Sequence, residues 1–173
     1  DDCQADCNAN GIADTCDIAN GLVEDCNADG IPDICQILAS TTETFSGGAF
    51  TSRPPVIWTN FVRGPGWIFT SSSPFMTGQV LQSAPITDSE STAINATFDF
   101  GPSGGSLSFS WAVQSQSSSD FLRFDIDGVN MLAQSGITSG TSSFLMAPGV
   151  HVLQWRYEKN ASIATGADAA AID

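Results

Sequence analysis

Two short stretches of this 173-residue chain carry side chains at a spacing suited to a hard cation. Asp6, Asn8, Asn10, Asp14 and Asp17 fall at the first, third, fifth, ninth and twelfth places of one loop, with Gly11 at the sixth. Asp25, Asn27, Asp29 and Asp33 repeat the first four of those places around Gly30. Calcium takes six to eight oxygens at about 2.3–2.6 Å, some of them backbone carbonyls. A short loop can supply them only by turning alternate side chains inward and then bending sharply. Glycine permits the bend because it has no Cβ to clash at positive φ. We assign Asp6, Asn8, Asn10, Asp14, Asp17 and the carbonyl of Ile12 to one ion. Asp25, Asn27, Asp29, Asp33 and the carbonyl of Ile31 go to a second. A single Asx-Gly cluster would read equally well as a turn. Duplication, with matched acids, glycines, isoleucines and cysteines, favours calcium. The second loop ends in Gln36 rather than an acid, so weaker binding is expected there.

All five cysteines, Cys3, Cys7, Cys16, Cys26 and Cys35, lie in the same stretch. Zinc is the rival to disulfides. No pair has C-x-x-C spacing, however, and His151 is the only histidine. Disulfides are therefore expected, which implies an oxidising compartment outside the cytosol. Five is odd, and Cys3 stands outside the repeat pattern. It would be a free thiol near the terminus or a bond to another chain.

The charge balance agrees. Acids outnumber bases nineteen to five, for a formal net charge of −14. The first 36 residues hold nine acids and no Lys or Arg, so that segment needs cations to stay compact. Nucleic acid is excluded as a partner, because its phosphates demand basic contacts. No apolar run reaches the roughly 20 residues needed to cross a bilayer. A start at Asp1-Asp2-Cys3 is what removal of a secretory leader would leave. A secreted or cell-surface location, in a bacterium, is expected.

The pattern D-x-N-x-[ND]-G-I-x-D-x-C, read at residues 6–16 and 25–35, resembles the thrombospondin type 3 repeat. Its loop core also resembles EF-hand and dockerin loops. Dockerins set two such loops on helices and bind a cohesin partner. Residues 17–24 are too short and too rich in Asn and Gly for a dockerin helix, so the thrombospondin type fits better. That resemblance covers about a fifth of the chain. It implies an arm held by calcium and disulfides in place of a hydrophobic core. Cys7 and Cys26 depart from the family pattern and leave the pairing open.

The elements that must carry this arm follow it. We divide the chain into the arm (1–36), a linker or donor-type strand (37–48) and a folded domain (49–173). From Ala49 on, short runs alternate between apolar and polar residues. They fall at 56–62, 67–70, 79–83, 93–100, 106–113, 121–126, 129–133, 141–146 and 151–157. Leu107, Phe109 and Trp111 alternate with serines, and Leu153, Trp155 and Tyr157 oppose Val152, Gln154 and Arg156. Period two with one apolar face predicts antiparallel strands packed sheet on sheet. The expected fold is mainly β, an antiparallel β-sandwich of jelly-roll type. Ser119–Gly128, Pro148–His151, Trp155–Lys159 and Gly166–Asp173 resemble a sandwich domain of secreted bacterial proteins. In that family a motif like Asp168–Asp173 leads into a final strand. The resemblance therefore implies an open sheet edge able to accept a strand from another molecule.

No catalytic centre is expected. His151 sits in a strand pattern with no nucleophile motif beside it. Alternation places Asp125 and Asp127 on one solvated face, and a further calcium site at Asp120 or Asp168 is an option. Of the aromatic residues, Trp67 is flanked by Gly64-Pro65-Gly66 and reads as a loop-borne sugar contact. The leading expectation is a non-enzymatic extracellular calcium-binding structural protein. It would be a filament or assembly subunit whose arm docks on the next copy to give a homopolymer. The alternative is a carbohydrate-binding or adhesive module with a calcium-stabilised spacer.

Overall fold

The computed structural model describes residues 6, 10–25, 30, 32, 42, 43, 45, 48, 57–61, 66–101 and 104–173. Side chains at 57, 60 and 61 fall outside that description. Among the described residues, one short helix, α1 (Asp14–Ala19), precedes ten strands. These are β1 (Ile57–Phe61), β2 (Trp67–Thr70), β3 (Val80–Ser83), β4 (Ser91–Asp99) and β5 (Gly105–Gln114). They continue as β6 (Phe121–Ile126), β7 (Val129–Gln134), β8 (Ile137–Met146), β9 (Val150–Glu158) and β10 (Ala169–Ile172). Two five-stranded sheets result, ordered β1-β4-β9-β6-β7 and β2-β3-β10-β5-β8. Every pairing is antiparallel. The chain is a β-sandwich.

Alternation decides which residues go inside. In β9, Leu153, Trp155 and Tyr157 are buried while their neighbours are not. In β6, Leu122 and Phe124 are fully buried. The core is largely aromatic. Phe124 and Trp155 lie 4.9 Å apart between ring centroids, and Phe109 meets Trp155 edge-on at 5.3 Å. Each such pair adds about 0.5–1.5 kcal/mol beyond its burial. Asp127 and Gly128 join β6 to β7 with φ of 51° and 79°. This is the primed two-residue turn whose twist matches the strands it connects.

Three expectations change. Asp125 is buried, because the pairing of β6 with β7 shifts register between Phe124 and Asp125. A bulge re-aims the side chain that follows it. There Asp125 accepts from Asn130 Nδ2 at 2.7 Å, and Arg156 lies 3.7 Å away. Residues 169–172 are not a lead into a final strand. They form β10, inserted between β3 and β5 with all four residues buried. A strand covered on both faces carries a continuous apolar run rather than an alternating one, as Ala169-Ala170-Ala171-Ile172 does. Finally, β8 begins at Ile137 and runs through Gly140, which faces Trp111. A Cβ at Gly140 would lie 2.9 Å from Trp111 Cζ2.

Among the described residues, no helix is long and apolar enough to cross a membrane.

Candidate functional site

A groove lies between the two sheets beside β5. β5 has ten residues and pairs along its whole length with β8. On its other edge β10 covers only Trp111–Gln114, and Asp173 extends the pairing to Ser110 through bonds of 2.7 and 3.0 Å. Gly105–Phe109 have no strand opposite them on that edge among the described residues. The cavity beside this stretch measures about 680 Å³. Its floor is the other sheet, through Trp58, Ala96, Phe98, Leu153 and Trp155. Leu107 and Phe109 of β5 form one wall, and Gln79, ahead of β3, lies opposite. Ile172 and Asp173 close one end, and Thr42, Glu43 and Phe45 approach from before β1.

Trp58 stacks on Trp155 at 5.6 Å, and Phe45 meets Trp58 edge-on at 6.0 Å. Phe45 is buried in the core although it lies in the segment read as linker. Trp58, Phe98 and Leu107 remain half-buried at the groove mouth. Serines punctuate its edge. Ser110 Oγ lies 3.3 Å from Thr141 Oγ1, and Ser143 donates to Ser108 at 3.1 Å. Burial pushes the Asp173 carboxyl above its ordinary range.

The acidic repeats fold alike where they are described. Gly11 N–H donates to Asp6 Oδ2 at 2.9 Å, and Gly30 N–H donates to Asp25 Oδ2 at 3.0 Å. Both glycines have positive φ, 86° and 82°. Asn10 donates from its side chain to Asp17 Oδ2 at 2.9 Å. Asp14 and Asp17 are buried, at 5% and 0% exposure. α1 begins at Asp14, so the first loop runs into a helix of six residues. Among the described residues no three Asp, Glu, His or Cys side chains gather as a metal cluster. Asn8, Asn27, Asp29, Ile31 and Asp33 lie outside the described residues, as do Cys3, Cys7, Cys26 and Cys35. Cys16 is exposed and has no disulfide partner among the described residues.

No family model matches this chain. No curated protein matches it either. Among solved structures it is similar to the K3 cleaved adhesin domain of Lys-gingipain from Porphyromonas gingivalis W83. That match is 12% identical with a TM-score of 0.49, and covers 76% of this chain and 94% of that one. It is also similar to the CBM22-1 xylan-binding domain of Paenibacillus barcinonensis Xyn10C (15% identical, TM-score 0.43, 76% and 87% covered). A third is the secreted serine protease VesC of Vibrio cholerae, at 14% identity and a TM-score of 0.47, covering 62% of this chain. The chain spans only 23% of that protease. These likenesses concern sandwich architecture alone.

The remaining sequence candidates fall away from the groove or into the protein's own bonding. Trp67 is not a loop-borne sugar contact. It opens β2 and is 4% exposed in the core, because the strand starts directly after Gly66 and turns the ring inward. His151 has both ring nitrogens engaged, Nδ1 with Asp127 at 2.6 Å and Nε2 with the Ala147 carbonyl at 3.0 Å. The hydrogen bond that its ring donates to Asp127 holds the imidazole pKa above its ordinary value. Asp127, bonded first by Val152 N–H and then by His151, is held below its own. Asp168 accepts from Tyr157 at 2.9 Å and pairs with Lys159, so a protein cation already serves that carboxylate. Asp120 is fully buried and takes the Asn160 N–H at 2.9 Å. The groove itself escaped sequence reading. Its residues lie on strands of both sheets, and only the packing of the two sheets brings them together.

Proposed function

We propose that this chain is a non-enzymatic, extracellular adhesive module. The sandwich holds its ligand in the groove, and the acidic repeats form a calcium-stiffened arm that presents it. The groove carries this reading. It combines an aromatic floor on a rigid sheet with a rim of hydroxyls and carboxylates, the composition of a binding cleft. Outside it, both ring nitrogens of His151 are committed to internal bonds, as is the carboxylate of Asp168, offered above as a further calcium ligand.

The arm's residues suit calcium. Two matched loops place an aspartate against a glycine N–H, and two carboxylates are buried in a segment without Lys or Arg. A buried carboxylate is costly unless its charge is compensated. Asp6, Asn8, Asn10, Ile12, Asp14 and Asp17 would hold one ion. Asp25, Asn27, Asp29, Ile31 and Asp33 would hold the other. The metal would supply positive charge and fix the loop geometry. Support for a homopolymer built through the arm is weaker, since both the arm and the groove mouth are acidic.

The test uses the full chain in millimolar calcium, presented to immobilised β-linked oligosaccharides and to extended peptides. At least one class should bind, and Leu107→Glu should weaken that binding tenfold or more, with folding checked by circular dichroism. No binding in either class, or full binding by Leu107→Glu, defeats the reading.

A further inference from the structure

β8 is the last strand of its sheet, and among the described residues no strand pairs with its outer edge. Exposed edges are ordinarily blunted by charge, proline or a bulge. β8 has none of these along Ile-Thr-Ser-Gly-Thr-Ser-Ser-Phe-Leu-Met, and it pairs with β5 without a register shift. β5 carries no charge either. In an antiparallel strand, successive residues turn their N–H and C=O groups to opposite sides. Ser110 spends both of its groups on Asp173, so Phe109 and Trp111 turn theirs toward Ser142 and Gly140 of β8. Ile137, Ser139, Thr141, Ser143 and Leu145 have the opposite parity to Gly140 and Ser142 and turn their main-chain groups to the outer edge. Their side chains share one exposed face, on which Ile137 is 70% and Leu145 93% exposed.

That face is symmetric about Thr141. Ile137 and Leu145 each lie four residues from it, and Ser139 and Ser143 each lie two. We propose that β8 is a pairing edge for a second copy of this chain, the two β8 strands running antiparallel about a two-fold axis at Thr141. Ile137 then meets Leu145 of the partner subunit, Ser139 meets Ser143 of the partner subunit, and Thr141 meets its own counterpart. Five residue pairs of this kind make about ten main-chain hydrogen bonds. The two exposed apolar side chains cover one another, and opposed Ser and Thr hydroxyls add to the pairing. Moving the axis by one residue sets Ile137 against Ser143 or Leu145 against Ser139, so the apolar match fixes the register. A partner strand must carry the same spacing in reverse to serve both ends, and this chain is such a partner.

The net charge of −14 opposes association of two copies. The contact line escapes most of that repulsion, because β5 and β8 form an uncharged ribbon behind it and salt screens charges more than about 8 Å apart. The contact uses the same patch on both copies, so it closes at two and builds no filament. It is independent of what the groove binds, and it joins two modules through one continuous sheet.

The test is sedimentation equilibrium of the full chain in calcium, from micromolar to millimolar concentration, with amide exchange followed at both ends of that range. A reversible dimer is expected, with the Ser139, Thr141 and Ser143 amides protected as concentration rises. Thr141→Lys should weaken the dimer tenfold or more, because it sets two ammonium groups opposite each other at the axis. It also lowers the net charge, so a non-specific association limited by overall repulsion would tighten instead. Ile137→Lys and Leu145→Glu should each weaken the dimer. The double variant should be tighter than either, because each introduced lysine then faces an introduced glutamate of the partner subunit. Circular dichroism checks the fold of every variant, and all three positions are exposed. A chain that stays monomeric at millimolar concentration overturns the proposal. So does a dimer that Thr141→Lys leaves unchanged, whether a disulfide or the arm holds it. A double variant no tighter than the single ones overturns the register and the proposal with it. Any of these failures leaves the adhesive reading of the groove standing.

Discussion

Replacing Asp168 with alanine should destabilise the sandwich more than any other change of a single surface-proximal charge. The Asp168 carboxylate serves two buried donors at once. Tyr157, fully buried, donates its hydroxyl at 2.9 Å, and the Lys159 ammonium pairs with the second oxygen. The Lys159 side chain is 5% exposed, and its other partner, Asp88 at 3.2 Å, is itself half exposed. Burial, then the Asp168 bond, drives the Tyr157 hydroxyl pKa far upward, so it remains a donor at all relevant pH. In Asp168→Ala the hydroxyl loses its acceptor, costing about 1 kcal/mol. The ammonium keeps only Asp88, costing about 2 kcal/mol more. Lys159 as a residue is only partly buried, which argues for the lower end of the range for a broken buried pair. The sum is about 3 kcal/mol. For a chain of this length that lowers Tm by about 6–12 °C. Urea titration followed by tryptophan fluorescence gives the free energy, and calorimetry gives the melting shift. Tyr157→Phe should cost about 1 kcal/mol. Asp88→Ala, at an exposed pair, should cost under about 1 kcal/mol. The Asp168→Ala/Tyr157→Phe double variant should fall short of additivity by about 1 kcal/mol, because Asp168→Ala already strands the hydroxyl. An Asp168→Ala loss no larger than that of Asp88→Ala would refute the reasoning.

Three further outcomes are expected. The Asp127–His151 pair should give a pH window. His151 is raised from 6.5, so its contribution is complete below that value and fades as pH climbs through the raised pKa. Asp127 is lowered from 3.8, so its contribution is complete above that value and fades as pH falls through the lowered pKa. NMR titration of His151 in Asp127→Asn should show its pKa fall, and an unchanged value would remove the pair from the account. Adding calcium to oxidised full chain should shift the Gly11 and Gly30 amide resonances with two ions bound, the first loop tighter. Chelation should leave the melting of the sandwich nearly unmoved, since among the described residues its hydrophobic cluster begins at Phe45. Calorimetric titration that finds no binding at millimolar calcium would defeat the arm assignment. Gly140→Ala should force the Trp111 ring to shift, straining its 2.9 Å bond to Ser142. A loss of about 1–3 kcal/mol is expected by chemical denaturation.

Nine of the ten strands were legible as alternating runs, because a half-buried strand writes its two faces into the sequence with period two. The core aromatic residues followed from the same pattern. Sequence also supplied the duplicated loops, through spacing alone, and their shared aspartate–glycine bond shows local chemistry repeating as local geometry. Trp67 misled because its Gly-Pro-Gly neighbours signal a loop, while burial is decided by where the next strand lands. Asp125 misled because a bulge is a property of two paired strands, not of one. Asp168 looked like a ligand for a foreign cation until Lys159, nine residues away in sequence, came to meet it. The groove shows most plainly what sequence cannot hold. Each of its residues obeys its own strand's pattern, but Trp58, Phe98 and Leu107 meet only because two sheets far apart in sequence pack face to face.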